Sequence, residues 1–302
     1  MKFFAGTSNK PLAEKVAQNL GVTLANSEIL KFTDGEIKPV VKENVRDETC
    51  VIIQSTIKDP NNFWMELFLT IDALKREAAK KIIAVIPAFG YARQNQQHLP
   101  GEPVSAHVMV DFLEEAGVAE VITVDLHDET MTGMFNIPIT NISALPLLAN
   151  AVKPNLPQDF AVVTPDQGGV ERARLFSQSL GSNKPIVVVE KKRELLKVHQ
   201  SQAMAVMGEV TGQAVVIQDD IITSGGTVLN AIDALLEKGA KNIYVCVTHE
   251  DFAPDTAQKL QNSQLTKMFI TNSVVTPQNF LFPKLEIIDI SELLSQQIKK
   301  II

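Results

Sequence analysis

Buried-strand patterns and helical patterns alternate along almost the whole of this chain. Apolar runs, all but the first rich in Val and Ile, occupy residues 2–5, 50–54, 82–87, 121–125, 160–164, 185–189, 215–217 and 243–248. Between several of them, apolar side chains recur every three or four positions, the period of a helix packed on one face. Residues 11–20 form such a stretch and stop at Gly21. Residues 63–75 place Leu67, Ile71 and Leu74 on one side. Residues 106–116 stop at Gly117, and residues 170–180 follow the strand at 160–164. Glycine directly after the last periodic residue is a helix-stop signal. The alternation predicts an α/β fold built on largely parallel sheets. Residues 150–159, with Pro154 and Pro157, read as a connection near a domain boundary. Residues 291–302 read as a terminal amphipathic helix with Leu294, Ile298, Ile301 and Ile302 on its buried side.

The pattern also echoes itself. Asp72-Ala73-Leu74, then Ala79-Lys80 and Ile82, is matched at equal spacing by Asp233-Ala234-Leu235, then Ala240-Lys241 and Ile243. This is weak support for two domains of one fold. The length, 302 residues with 45% hydrophobic and 21% charged side chains, accommodates two domains of ordinary size. The net charge of −7, with no basic run longer than Lys191-Lys192-Arg193, argues against nucleic acid as the main partner. The only cysteines, Cys50 and Cys246, lie in strand-like runs. That suits structural thiols in a reduced, cytoplasmic protein. No apolar run reaches membrane-spanning length, and residues 1–10 lack the apolar stretch of a signal peptide.

The candidate chemistry collects where strands end. After Val215-Val216-Ile217 come Asp219 and Asp220, then Thr223, Ser224, Gly225, Gly226 and Thr227. A helix follows with Leu229, Ile232, Leu235 and Leu236 on one face. Glycines let backbone N–H groups approach an anion, hydroxyls add donors, and a helix start favours negative charge. The paired acids suit vicinal sugar hydroxyls or a metal. Together they suggest a sugar phosphate rather than an ordinary turn. Pro165-Asp166-Gln167-Gly168-Gly169, followed by a helix bearing Arg172 and Arg174, is a second acid-and-glycine turn. It suits a pyrophosphate or a magnesium-bridged phosphate. His127, between Asp125 and Asp128 at another strand end, is a metal or acid–base candidate. Lys191-Lys192-Arg193 suits a polyphosphate clamp. Phe89 to Gln94, with Tyr91 and Arg93, suits a base.

These segments resemble the ribose-phosphate pyrophosphokinase family from end to end. Phe32-Thr33-Asp34-Gly35-Glu36, Asn44-Val45-Arg46, residues 87–94, Val124-Asp125-Leu126-His127, residues 165–169, Lys191-Lys192-Arg193, the Asp219-to-Thr227 turn and Thr248-His249 occur in the family's order. The Asp219-to-Thr227 turn by itself also resembles type I phosphoribosyltransferases, but such an enzyme needs only one of the two halves. The resemblance implies two similar domains of phosphoribosyltransferase-like fold, each a mostly parallel sheet flanked by helices. These would span residues 1–145 on the ATP side and 146–290 on the ribose side, with residues 291–302 docking back. It implies diphosphate transfer from ATP to the 1-hydroxyl of ribose 5-phosphate, giving phosphoribosyl pyrophosphate and AMP. A non-catalytic regulatory relative is the alternative; the retention of His127, Asp166, Lys191, Arg193, Asp219 and Asp220 speaks against it.

Residue by residue, the resemblance implies that Asp219 and Asp220 hold the ribose hydroxyls and that residues 223–227 hold the 5-phosphate. His127 and Asp166 hold Mg²⁺ on the ATP phosphates, near Gly168 and Gly169. Lys191 and Arg193 close over the transition state. Phe32, Asp34 and Glu36 reach the adenine of a neighbouring subunit, with Arg93 and Gln94 completing that site, so the protein is expected to be a homodimer or larger homo-oligomer. Several positions depart from the family. Thr223 stands where a third acid is usual, Ser224 where Thr is usual, Asn95-Gln96-Gln97 where an acidic and basic run is usual, and His107 where Lys is usual. Many members carry a second, regulatory anion site that needs cations. Residues 95–102 hold no Lys or Arg and end in Glu102, which implies that this site is lost.

Overall fold

Parallel strands joined by helices dominate the computed structural model, which describes residues 1–191 and 204–302. They form two compact units. The first comprises Met1–Ser143, Ser273–Val275 and Asp289–Ile302; the second comprises Ala144–Asn272 and Thr276–Ile288.

In chain order the first unit contains β1 (Lys2–Ala5), α1 (Lys10–Leu20), β2 (Ser27–Lys31), β3 (Ile37–Val41), β4 (Thr49–Ile53), α2 (Pro60–Arg76), β5 (Lys81–Ile86), α3 (Ser105–Ala116), β6 (Glu120–Val124) and β7 (Ile139–Ile142). Its main sheet runs β1-β4-β5-β6-β7, with every neighbouring pair parallel. β2 and β3 form a separate antiparallel hairpin. Asn9 caps α1 by accepting the Leu12 amide at 3.3 Å, and Gly21 ends it in the left-handed region at φ +70°. Only glycine adopts that conformation without a steric cost. Leu67, Ile71 and Leu74 of α2 are fully buried beside Ile52, Ile82 and Ala84.

The second unit contains α4 (Leu145–Val152), β8 (Phe160–Thr164), α5 (Val170–Leu180), β9 (Val187–Lys191), β10 (Met204–Met207), β11 (Ala214–Ile222), α6 (Gly226–Glu237), β12 (Asn242–Glu250), α7 (Thr256–Asn262), β13 (Lys267–Thr271) and β14 (Leu285–Ile288). The sheet order is β10-β9-β8-β11-β12-β13-β14; only the β9–β10 pair is antiparallel. From β8 the chain passes through α5 to β9 on one side. It resumes at β11 on the other side of β8. Such a reversal of strand order opens a crevice at the carboxyl ends of the two central strands. The register makes the crevice asymmetric. Ile217 pairs with Val163, so β11, which continues to Ile222, carries Asp219 and Asp220 past Thr164, where β8 ends. The helices flank opposite faces. Val162 and Val216 pack with Ala173 and Phe176 of α5, whereas Val163, Val215 and Ile217 pack with Val228 and Ile232 of α6.

Two expectations are corrected. Residues 150–152 belong to α4 rather than to a connection. Leu145, Leu148, Ala149 and Val152 lie one helical face apart and are all buried, so the helix persists until the turn at Lys153–Asn155. The final helix is α8 (Ser291–Ile298). It packs on α1, tied by a Lys15–Asp289 ion pair at 2.8 Å and a bond of 3.2 Å from Asn19 Nδ2 to Ser291 Oγ. Leu294 and Ile298 are fully buried, but Ile302, beyond the helix, is 52% exposed. Cys50 and Cys246 are buried free thiols within β4 and β12.

Leu294→Ala is therefore expected to lower stability by about 2–5 kcal/mol, the usual range for truncating a buried Leu. Ile302→Ala should change it by less than about 0.5 kcal/mol. Denaturant midpoints of the two variants decide the point.

Candidate active site

The turn from β11 into α6 is open at its anion-binding end. Gly225, at φ +72°, precedes the helix. Among the described residues no side chain caps α6 and no acid sits in its first turn, so its first amides are left open to an anion. A Cβ on Gly225 would come within 3.1 Å of Thr256 Cγ2. The turn is anchored from outside: the Thr223 carbonyl accepts from the Ala253 amide at 3.0 Å and from Thr256 Oγ1 at 2.8 Å.

Just before this turn, Arg172 Nη1 of α5 donates to Asp220 Oδ1 at 2.7 Å and lies 3.9 Å from Asp219 Oδ1. Strand alternation explains the unequal distances. Asp220 shares the face of Val216, the face that α5 covers, and is 3% exposed. The Asp220 amide donates to Asp219 Oδ1 at 2.9 Å. Burial pushes the Asp219 carboxyl well above the usual carboxylate range, and the negative charges of Asp220 and then Asp166 push the same way.

The turn between β8 and α5 is built differently. Thr164 Oγ1 donates to the Asp166 carbonyl at 3.0 Å, and Asp166 Oδ1 accepts the Gly169 amide at 2.9 Å. This turn therefore supplies its own anion at that amide and presents a fixed carboxylate. A Cβ at Gly169 would lie 2.3 Å from Thr164 Oγ1, whereas one at Gly168 would meet only Asp166 Oδ1, at 3.4 Å. A third strand–turn–helix, from Gly6 to Asn9, is closed. Glu66 accepts from the Thr7 amide and hydroxyl, and Gln54 Oε1 accepts from the Ser8 amide and hydroxyl.

The remaining residues fall into two groups. His127 follows β6 in the first unit, beside Asp125, whose φ of +41° is rare for a residue with a side chain. Asp128 accepts from the Thr130 hydroxyl at 2.6 Å, the Thr130 amide at 2.9 Å and Asn95 Nδ2 at 2.8 Å. Led by the Thr130 hydroxyl, these bonds hold its carboxyl below the usual range. Gln94 Oε1 accepts from Ser105 Oγ at 2.7 Å, fastening the loop to the start of α3. Phe32, Asp34 and Glu36 share the exposed tip of the β2–β3 hairpin, closed by a bond of 2.8 Å from the Phe32 amide to the Glu36 carbonyl. Arg93 and Gln94 lie exposed on the β5–α3 loop, a separate element. Lys191 ends β9; Arg193 lies outside the described residues.

Three comparisons with known proteins agree. A profile of the N-terminal domain of ribose phosphate pyrophosphokinase matches residues 1–117, and one of the phosphoribosyl synthetase-associated domain matches residues 159–302. Ribose-phosphate pyrophosphokinase 1 of Streptococcus mutans is 37% identical over all of this chain and 94% of its own length. The chain belongs to the ribose-phosphate pyrophosphokinase family. The ribose-phosphate pyrophosphokinase of Fusobacterium nucleatum is likewise 37% identical, over 100% of this chain and 95% of its own. The crystal structure of phosphoribosylpyrophosphate synthetase from Mycobacterium smegmatis superposes with a TM-score of 0.93 at 32% identity, covering 99% of this chain and 98% of that one.

For a ribose-phosphate pyrophosphokinase, the second unit thus brings together Asp219, Asp220, the turn at 223–227 and Asp166. Sequence reasoning did not single out the Asp220 contact of Arg172, the Thr256 anchor or the Asn95–Asp128 clasp. Only the first left a trace: a cation one turn into the helix after an acid-and-glycine turn. Among the described residues no group of three His, Cys, Asp or Glu side chains converges on one point. Glu102, which ends the segment without Lys or Arg, accepts the His98 and Leu99 amides on its Oε2 at 3.0 and 2.9 Å.

Asp219 yields a test. Its raised pKa means that the folded state binds a proton more tightly than the unfolded chain, so stability declines as pH rises from the ordinary Asp value through the folded one. Asp219→Asn removes that loss. The variant is expected to be more stable than the wild type at pH 7–8, with the gain fading toward pH 4. Denaturant midpoints across this range measure it.

Proposed function

We propose that the protein transfers the terminal diphosphate of ATP to the 1-hydroxyl of ribose 5-phosphate, giving phosphoribosyl pyrophosphate and AMP. The observation that carries this reading is the open N-terminus of α6 directly after two fixed acids. The 5-phosphate sits on the amides and hydroxyls of Ser224, Gly225, Gly226 and Thr227. Asp219 and Asp220 accept from the 2- and 3-hydroxyls. Held at both ends, the sugar presents its 1-hydroxyl for in-line attack on the β-phosphorus. A bond forms between that oxygen and the β-phosphorus. The bond from the β-phosphorus to the oxygen bridging to the α-phosphorus breaks, AMP leaves with that oxygen, and the hydroxyl proton is released. The reaction is mostly positioning and charge neutralisation.

Lys191 and Arg193 supply cations for the charge that spreads over the transferred group. His127 and Asp166 would hold Mg²⁺ on the ATP phosphates, with Gly168 and Gly169 beside the diphosphate; the ion would neutralise phosphate charge. Asp166 suits that task because its bond to Gly169 fixes the direction of an exposed carboxylate. Phe32, Asp34 and Glu36 would take the adenine with Arg93 and Gln94 of another copy, which requires at least a homodimer. Their exposure at a hairpin tip supports this reading. Thr223 offers a hydroxyl where the family resemblance leads one to expect a carboxylate, and its carbonyl serves the fold. Glu102 fills loop amides with its own carboxylate, which supports the loss of a regulatory anion site there.

Incubation with Mg²⁺, ATP and ribose 5-phosphate in phosphate-free buffer should yield AMP and phosphoribosyl pyrophosphate in equal amounts. Stoichiometric ADP, or no turnover, would remove the assignment. Lys191→Ala should lower kcat by about a hundredfold or more with a smaller change in KM, as for a group that acts on transition-state charge. Lys192→Ala should be milder. Steady-state kinetics of the two variants separate these outcomes.

A further inference from the structure

The pairing of Asp219 and Asp220 raises a problem that the proposed reaction does not solve. Each acid must present an ionised, correctly turned oxygen to a sugar hydroxyl. Adjacent buried carboxylates instead repel, and a shared proton removes one acceptor. Facing them are Arg172 from α5 and, by charge, Asp166 from the β8–α5 turn. Arg172 places a cation on the pair. Its side chain is only 16% exposed, and Asp220's is 4% exposed. It sits 2.7 Å from one acid and 3.9 Å from the other, so it commits to Asp220 and leaves Asp219 to its neighbour's amide. The exposed Arg174, by contrast, pairs with Glu171 on its own helix.

We propose that Arg172 is the positioning residue of the diol site, fixing Asp220 as an oriented, ionised acceptor for a ribose hydroxyl. This rests on the proposed assignment of the two acids to ribose 5-phosphate. Geometry and chemistry favour the role over a purely structural one. A lone buried carboxylate needs a partner, but the partner here comes from the turn-and-helix unit on the other side of the strand-order reversal. The bond therefore ties the loop that presents Asp166 to the strand end that presents the acids. Because guanidinium is planar and always charged, it fixes direction as well as sign; an ammonium supplies mainly sign.

The test compares wild type with Arg172→Gln and Arg172→Lys, each first checked for native circular dichroism. KM for ribose 5-phosphate and KM for ATP are measured separately. In Arg172→Gln, KM for ribose 5-phosphate is expected to rise about tenfold or more, the scale of a lost charge-assisted hydrogen bond. KM for ATP should move much less, and Arg172→Lys should recover part of the loss. In an Asp220→Asn background the same Arg172→Gln change should cost far less, because residues that act through one another are not additive. Equal effects on both substrates, no recovery with Lys, or full additivity with Asp220→Asn would overturn the proposal. If Arg172→Gln does not fold, the Lys variant and its cycle with Asp220→Asn carry the same decision. A wild type that forms no AMP would instead sink the reaction assignment, so the two failures are distinguishable.

Discussion

Two consecutive carboxylates at the end of a buried strand form the constraint around which the second unit is arranged. Water is largely excluded from Asp220, so its charge must be met by protein. The reversal of strand order leaves β8 and β11 adjacent while their helices run to opposite faces, and this lets α5 bring Arg172 across to the pair. Because β11 outruns β8 in register, both acids stand beyond the last residue of β8, next to the loop that carries Asp166.

The three strand–turn–helix junctions share a sequence style but differ in what occupies their amides. At the start of α6 no side-chain cap is present among the described residues, so the dipole end is left open. At the start of α5 the Asp166 carboxylate takes the Gly169 amide, which converts an anion site into a mount for a carboxylate. In the turn from Gly6 to Asn9, Glu66 and Gln54 consume the donors. The chemistry of such a turn is set less by its glycines than by whether another side chain has already filled it.

Some residues in the segments that depart from the expected family pattern have visible roles in the fold. Asn95 is a clasp on Asp128, holding the loop before α3 to the loop that carries His127. Glu102 turns the segment before it, residues 97–102, into a self-bonded loop. Thr223 serves through its carbonyl, which any residue supplies, so exchanging its side chain leaves the anchoring bonds from Ala253 and Thr256 in place.

Period and local chemistry were enough to read the α/β class, the helices over residues 11–20, 63–75 and 170–180, the first two of which the structure extends to 10–20 and 60–76, and the chemical character of the turn at 223–227. These features depend on neighbours within a few residues: helix period, a left-handed glycine, an acid beside a hydroxyl. The β2–β3 hairpin, the edge strands β7, β10 and β14, the short strand β13, and the persistence of α4 through residue 152 were not legible, because short or edge segments are decided by what they pack against. The resemblance supplied the roles proposed for His127, Asp166 and the two acids. Whether Asp220 has a cation, which turn is open, and that Ile302 faces outward depend on residues 48, 33 or more positions away in sequence. Such long-range contacts carry no local period, and only the closed sheet, with its register and its reversal of strand order, brings them within reach.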